Sequence, residues 1–199
     1  MIAKSSYGIV GFCAILFLLV WIFFAFSWFL FLALLALVFV CRNTKSTIVC
    51  TDEKAILAPV AGTIRKIESV KHEDLGDCIE LSIQNALYNE GVIRANSKMQ
   101  IQSVKFRHGL FCGAGKFAKF AERAFIIAKN TDKTFALRIS AGSFERKISL
   151  YESFGELSAG DELGFSLNST LSLLLPKDTR LLVGVGDETK PCALLGYFS

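Results

Sequence analysis

The feature that most constrains this chain is a long apolar stretch near its N-terminus. Residues 7–41 contain no charged side chain. A bilayer core about 30 Å thick is crossed by about 20 helical residues, whereas one straight helix over this stretch would be roughly 50 Å long. The stretch therefore predicts either one kinked helix or a helical hairpin that turns near Phe26, Ser27 and Trp28. We interpret residues 1–42 as a membrane anchor of one kinked or two short transmembrane helices.

Basic residues flank the apolar stretch on both sides. Lys4 precedes it, and Arg42 and Lys45 follow it. Because Lys and Arg favour the cytoplasmic side of a membrane, a hairpin with both ends in the cytoplasm accounts for both flanks better than a single span does. A cleaved signal peptide has an apolar region of only about 7–15 residues. We therefore expect the segment to stay attached and the following domain to face the cytoplasm.

The remainder of the chain, residues 43–199, is long enough for one globular domain. Of the 22 basic residues only Lys4 and Arg42 precede it, and all 18 acidic residues lie within it. Such a near balance gives no reason to expect a nucleic-acid partner. The 6 cysteines include no C-x-x-C pair, so neither a metal site nor a disulfide framework is expected.

Short segments that alternate between apolar and polar residues dominate this second part. They predict strands at residues 62–67, 79–83 and 99–106. Gly-Asp pairs at 160–161 and 186–187 indicate tight turns in the last third of the domain. Many short strands without long amphipathic helices are typical of a mainly β fold, either a β-barrel or a sandwich.

One serine stands out in the stretch GDELGFSLNSTLSLLLP, residues 160–176. Ser169 lies between a turn-rich run and an apolar run typical of a strand, and strands are predicted on both sides, at residues 146–151 and 180–185. A residue at such a junction is placed where backbone strain can be held. The alternative interpretation is a Ser/Thr-rich strand edge whose hydroxyls face water.

Five segments occur in an order that points to a known family. They are APVAG at 58–62, NEGVIRA at 89–95, FRHGLF at 106–111, AERAFII at 121–127, and SLNSTLSLLLPKDTRLLVGVGDETKP at 166–191. Together they resemble the short, membrane-anchored form of phosphatidylserine decarboxylase. The corresponding family segments are Ser-Pro-Ala-Asp-Gly, Asp-Val-His-Val-Asn-Arg-Ala, His-Pro-Gly-Lys-Phe, Asn-Glu-Arg-Asn-Ala-Leu-Val-Ile, and a Gly-Ser followed by a strand, Leu-Pro and a Gly-Asp turn.

The resemblance implies a chemistry as well as a fold. In the family, a serine hydroxyl attacks the preceding peptide carbonyl, and the cleaved chain then carries a pyruvoyl group that decarboxylates phosphatidylserine to phosphatidylethanolamine. By position, Ser169 is the candidate, with cleavage between Asn168 and Ser169. The resemblance thus implies a pyruvoyl cofactor without a metal, an aminophospholipid substrate and a location at the cell inner membrane. It is also compatible with a homo-oligomer.

The chain departs from the family where a base is needed. The positions that match the family's His and Asp are Gly91 and Ala61, and neither side chain can accept a proton. His108 is the nearest histidine in the matched region and is the candidate substitute base, with Asn89 or Glu90 as other groups near Gly91. Asn168 replaces the family's Gly before the serine, and Asn tolerates a left-handed backbone better than most residues.

Two basic residues are candidates for contact with lipid phosphate. Arg94 and Lys98 lie in and just after the NEGVIRA segment. A basic side chain near an anionic leaflet contributes about 1 kcal/mol to membrane binding. The alternative is an ordinary charged surface.

Three functions remain open from sequence alone. The first is a self-cleaving decarboxylase. The second is an inactive homologue that binds aminophospholipid or regulates a true decarboxylase, which Gly91 and Ala61 favour. The third is a non-catalytic adaptor scaffold of the biotinyl or lipoyl type, suggested by APVAGTI and VGVGDETKPCALLG although no Met-Lys-Met hairpin is present.

Overall fold

The computed structural model describes residues 6–23, 26–43, 48–50, 52–109, 121–131, 133–142, 148–151 and 155–199. The chain divides into two compact units, Met1–Thr44 and Lys45–Ser199. Lys4, Lys45 and the end of the segment at 106–111 lie outside the described residues.

The N-terminal unit contains two helices. Helix α1 covers Tyr7–Phe23 and helix α2 covers Trp28–Val40. The expected break near Phe26 is confirmed, and the ring of Phe26 lies 5.8 Å from that of Phe17 in α1 and 5.8 Å from that of Phe31 in α2. The prediction of transmembrane helices is not met in the part of the chain that is described, because neither helix is both long and apolar enough to cross a membrane.

The second unit is built from strands, which confirms the mainly β prediction. They are β1 Ala55–Leu57, β2 Gly62–His72, β3 Gly76–Gln84, β4 Val92–Arg94, β5 Met99–Arg107, β6 Arg123–Asn130, β7 Lys133–Ser140, β8 Ser149–Leu150, β9 Gly155–Leu157, β10 Glu162–Phe165, β11 Thr170–Pro176, β12 Arg180–Leu181, β13 Glu188–Thr189 and β14 Leu194–Tyr197. Of the strand predicted at 180–185, only β12 forms. The chain then turns, with the Gly184 N–H donating to the Asp187 carboxylate at 2.8 Å.

The strands form one large sheet and two small ones. The large sheet is antiparallel, with the order β13-β2-β3-β11-β7-β6-β5-β9, and the small sheets have the orders β1-β14-β12 and β4-β10-β8. Within the described residues the end strands of the large sheet, β13 and β9, are not paired with each other. The sheet is therefore open there, and the closed alternative of the prediction is not observed.

Strand β11 is the central element of the large sheet. It pairs with β3 on one side and β7 on the other, with Leu173 opposite both Leu81 and Leu137. Because side chains alternate between the two faces of a strand, Leu171, Leu173 and Leu175 point into the main core, while Leu174 packs in a smaller cluster on the opposite face. Both faces of β11 are thus covered, which explains its almost uniformly apolar sequence.

The position of β11 gives a stability prediction. Leu173 is fully buried at the centre of the sheet, so Leu173→Ala removes apolar contacts and leaves a cavity. We expect a loss of about 2–5 kcal/mol in the free energy of unfolding, measured by urea denaturation of the full-length protein in detergent. Leu182→Ala is the matched control because Leu182 is exposed. A similar, small effect for both variants would contradict the central placement of β11.

Candidate functional site

The candidate site lies at the end of the large sheet where β11 begins. Thr170 is opposite Gln84 of β3 and Ser140 of β7. Continued by one residue, this register places Ser169 between Asn85 and Ala141. The hydrogen-bond pattern follows the same register: the Asn85 N–H donates to the Ser169 carbonyl oxygen at 2.9 Å, and the Ala141 N–H donates to the Glu122 carbonyl oxygen at 2.9 Å. Residues remote in sequence therefore form one row across the sheet.

Ser169 faces the protein interior. It is two residues before Leu171, whose side chain is in the core, and directly opposed residues of an antiparallel pair project to the same face. Ser169 is 0% exposed, and its hydroxyl has no hydrogen-bond partner among the described residues. The alternative of a water-facing strand edge is therefore wrong for this serine. An unpaired buried hydroxyl is costly, which favours a functional explanation.

The residue before Ser169 has an uncommon backbone conformation. Asn168 has φ 49°, in the left-handed region that Asn adopts more readily than most residues. Gly142, opposite Asn168 after β7, packs so closely that a Cβ at this position would collide with the Asn168 carbonyl oxygen. The expected left-handed turn at Asn168 is thus present, and its carbonyl lies against the backbone of a glycine.

Positions 61 and 91, where the resemblance implies an Asp and a His, lie close to Ser169. The side chain of Asn85 connects them to it. The Asn85 carboxamide nitrogen donates to the carbonyl oxygens of Ala61, at 3.1 Å, and Glu90, at 2.7 Å. Next to Glu90, the Gly91 carbonyl oxygen accepts from the Ser166 N–H at 2.8 Å. The turn at Ala61, the loop at Gly91 and the segment before Ser169 therefore form one cluster.

The space that a side chain at position 91 would need is filled. A Cβ on Gly91 would lie 2.9 Å from Leu167 Cδ2, 3.0 Å from Phe165 Cε2 and 3.0 Å from the Ser166 carbonyl oxygen. A side chain at position 91 therefore requires the Leu167 side chain to shift, whereas Phe165 needs to give way by only a few tenths of an ångström. Apolar side chains therefore fill the space beside position 91, at which the family resemblance implies a base.

His108 belongs to the same row but is distant from Ser169. Its Nδ1 lies 3.8 Å from the carboxylate of the buried Glu122, whose other oxygen accepts from the Ile148 N–H at 3.2 Å. The side chain of His108 is 83% exposed. The row places His108 three strands from Ser169, and at about 4.8 Å per strand the two backbones are about 14 Å apart. That separation is too large for direct proton transfer.

The two predicted lipid-phosphate residues are in different environments. Arg94 is buried, and its guanidinium donates to the Gly160 carbonyl oxygen at 3.3 Å. This burial removes the Arg94 side chain from any lipid surface. Lys98 is exposed and lines a cleft of about 260 Å³ together with Lys129 and Glu156. Contact between Lys98 and lipid phosphate stays a prediction.

A second cleft borders the candidate site. It has a volume of about 360 Å³ and is lined by Ala61, Gly62, Thr63, Tyr88, Asn89, Glu188, Thr189 and Lys190. It carries both charge signs, because Glu188 and Lys190 are exposed on its wall. In the described part of the chain, no group of three His, Cys, Asp or Glu side chains is arranged to hold a metal ion.

Sequence reasoning missed two residues of this site. Asn85 continues the alternation of Leu81 and Ile83, so it is a polar residue at a core-facing position, and that pattern is a usable signal. Gly142 gives no such signal, because the need for a glycine arises only from its approach to Asn168 in space.

The close approach at Gly142 gives a second prediction. Gly142→Ala forces the Asn168 carbonyl to move, and we expect a loss of about 1–3 kcal/mol in the free energy of unfolding, as for other overpacked sites, measured by urea denaturation. Gly184→Ala is the control, since its Cβ would meet only Asp187 Oδ2 at 3.7 Å. Equal stability of Gly142→Ala and the unsubstituted protein would show that the 168–169 peptide is not held by this contact.

Comparisons with known proteins identify the family of this chain. A family model described as phosphatidylserine decarboxylase matches residues 36–196. The chain is 31% identical over 155 residues to a phosphatidylserine decarboxylase proenzyme of Carboxydothermus hydrogenoformans, covering 75% of this chain and 72% of that protein. The corresponding proenzyme of Syntrophus aciditrophicus is 29% identical over 82% of this chain and 81% of its own length.

A third proenzyme, from Desulfotalea psychrophila, is 28% identical over 70% of this chain and 68% of its own length. No solved structure matches the chain. With a family model that covers most of its length and relatives matched over more than two thirds of theirs, the chain belongs to the phosphatidylserine decarboxylase family.

Proposed function

We propose that this protein is a slow, self-cleaving phosphatidylserine decarboxylase whose pyruvoyl group forms from Ser169. The observation that carries the proposal is the state of this serine. Its hydroxyl is buried and unpaired among the described residues, and the peptide before it is held in the left-handed conformation of Asn168. A buried hydroxyl that follows a left-handed residue is a suitable starting point for attack on the adjacent carbonyl.

The proposed cleavage uses only atoms of this chain and water. Ser169 Oγ attacks the carbonyl carbon of Asn168, a C–O bond forms, the C–N bond breaks, and the hydroxyl proton is transferred to the Ser169 nitrogen. Loss of the Cα proton then expels the Asn168 carboxylate and leaves a dehydroalanine. Addition of water and release of ammonia convert this residue to a pyruvoyl group. That group would supply an electron sink for loss of CO₂ from an amine-bearing substrate.

The residues around Ser169 fit this modification. Ser169 is fully buried, with Asn85 opposite it in register and Gly142 against the carbonyl of Asn168, and this burial would exclude bulk water from the first step. The missing base lowers the expected rate, because a general base typically contributes about 10²–10⁴-fold. We therefore expect self-cleavage to take place slowly.

The mixed-charge cleft beside Ala61 supports an aminophospholipid as the substrate. Glu188 and Lys190 are exposed on its wall. A carboxylate can pair with the ammonium of a headgroup, and an ammonium can pair with its phosphate or carboxylate. The substrate would then approach from the side of the Ala61 turn.

The N-terminal unit supports a membrane location. Large apolar side chains are exposed along both helices, among them Phe12, Ile22, Trp28 and Phe29. Exposed apolar surface of this extent requires a partner, and a lipid bilayer would provide it. We propose that this unit inserts into the inner membrane and that the β domain faces the cytoplasm.

The second candidate function is an inactive homologue that binds aminophospholipid or regulates an active enzyme. It is favoured by the packing of Leu167 and Phe165 into the space beside Gly91. The adaptor-scaffold alternative has no support, since the family match covers the segments on which it rested.

Intact mass of the purified protein tests the proposed function directly. We expect a fragment of residues 169–199 with a pyruvoyl N-terminus in the unsubstituted protein, and no fragment in Ser169→Ala. Ser172→Ala is the matched control, because Ser172 lies in β11 just after Ser169 but on the other face, where its hydroxyl is hydrogen-bonded to that of Ser82 at 3.4 Å. A protein that stays full-length after long incubation would favour the inactive homologue.

Restoring the missing base gives a complementary prediction. Gly91→His combined with Ala61→Asp should raise the cleavage rate, by up to about 10²–10⁴-fold, only when Leu167→Ala also makes room beside position 91. Gel densitometry of the fragment over time measures the rate, and Leu167→Ala alone is the control. If the triple variant cleaves no faster than this control, the cluster around Ser169 does not hold residues 61 and 91 in catalytic positions.

A further inference from the structure

We propose that Asn85 is a positioning residue for Ser169: it ties the Ala61 turn and the Glu90–Gly91 loop to the serine, and its carboxamide oxygen is the acceptor for the Ser169 hydroxyl. This inference rests on the proposed self-cleavage and assigns to Asn85 a role that neither the sequence motifs nor the family resemblance indicates.

The orientation of the Asn85 carboxamide is fixed by its bonds. Its nitrogen donates to two carbonyl oxygens, those of Ala61 and Glu90. Only the NH₂ group can donate to a carbonyl oxygen, so the nitrogen must point towards these loops. The carboxamide oxygen is directed away from them. It is buried and has no hydrogen-bond partner in the part of the chain that is described.

The Ser169 hydroxyl is the matching group. Asn85 and Ser169 are opposed in register, since the Asn85 N–H donates to the Ser169 carbonyl oxygen at 2.9 Å. Opposed residues of an antiparallel pair project to the same face, with Cβ atoms about 4.5–5.5 Å apart. A buried acceptor and a buried donor, each without a partner among the residues that the structure describes, are thus neighbours on one face. Rotation about the Ser169 side chain would let its hydroxyl donate to the Asn85 oxygen.

This contact has a chemical consequence. A carboxamide oxygen accepts a hydrogen bond but does not remove the proton, so Asn85 does not replace the missing base. Holding the hydroxyl fixes the direction of the Oγ lone pairs towards the Asn168 carbonyl carbon. The gain is one of orientation. The proton is still transferred to the Ser169 nitrogen when the C–N bond breaks.

The test compares Asn85→Leu with Asn96→Leu in the full-length protein in detergent. Both asparagines are 0% exposed, and both have buried amide atoms without partners in the described structure. Asn96 is not bonded to Ser169, and its carbonyl oxygen accepts from the Leu57 N–H at 2.6 Å. Unfolding midpoints in urea are measured first, so that the two variants are compared at known stability.

The first readout is the rate at which the 169–199 fragment forms, measured by mass spectrometry. We expect Asn85→Leu to lose at least about tenfold in rate, while Asn96→Leu cleaves at nearly the unsubstituted rate even if its stability falls as much. A purely structural role would slow both variants in proportion to their loss of stability. That result, or an unchanged rate in Asn85→Leu, overturns the proposal.

The second readout does not depend on cleavage. Hydrogen–deuterium exchange is followed in peptides that cover residues 58–64, 86–93 and 165–171. We expect Asn85→Leu to raise exchange in all three together and Asn96→Leu to leave residues 165–171 unchanged. If the unsubstituted protein never cleaves, the proposed function fails, and this exchange pattern alone decides whether Asn85 joins the three segments. If Asn85→Leu raises exchange only in residues 86–93, the proposal is overturned.

Discussion

The pairing of β11 between β3 and β7 is the constraint on which the rest of the structure depends. A strand that is buried over most of its length in the middle of an antiparallel sheet has little freedom to slip, because a shift by one residue would exchange its core-facing and opposite side chains. Leu171, Leu173 and Leu175 fix that register by their burial in the main core. The same register fixes Ser169 opposite Asn85 and directs its hydroxyl inward.

The site combines features that promote and features that oppose self-cleavage. Asn168 has a left-handed conformation and Gly142 closely approaches its carbonyl oxygen, and both features favour the proposed cleavage. Against it, position 91, where the resemblance implies a base, is a glycine, and Leu167 and Phe165 pack into the space beside it. The proposed self-cleavage therefore relies on the placement of Ser169 and Asn168 and not on a base at position 91.

Much of the fold could be predicted from the sequence because its signals are local. The alternation at residues 62–67, 79–83 and 99–106 gives β2, β3 and β5, and the break near Phe26 separates the two helices. The prediction of a strand over residues 180–185 was wrong beyond Leu181, since the chain then enters a hydrogen-bonded turn at Gly184. Strand β2 continues to His72 because it pairs with β3 over nearly its whole length. Its last residues are too polar to show a strand pattern, so the sequence did not predict this extension. The order of the motifs was sufficient to indicate the family.

The sequence by itself determined the family, the alternating phase of the strands and the candidate serine, because each of these depends on the identity and spacing of residues. Only the tertiary structure decided which side chains meet. Asn85 joins Ala61, Glu90 and Ser169, Arg94 turns inward, and His108 is held at the far end of the row. Such contacts depend on strand order and register, which pair residues far apart in the chain and which no local pattern specifies.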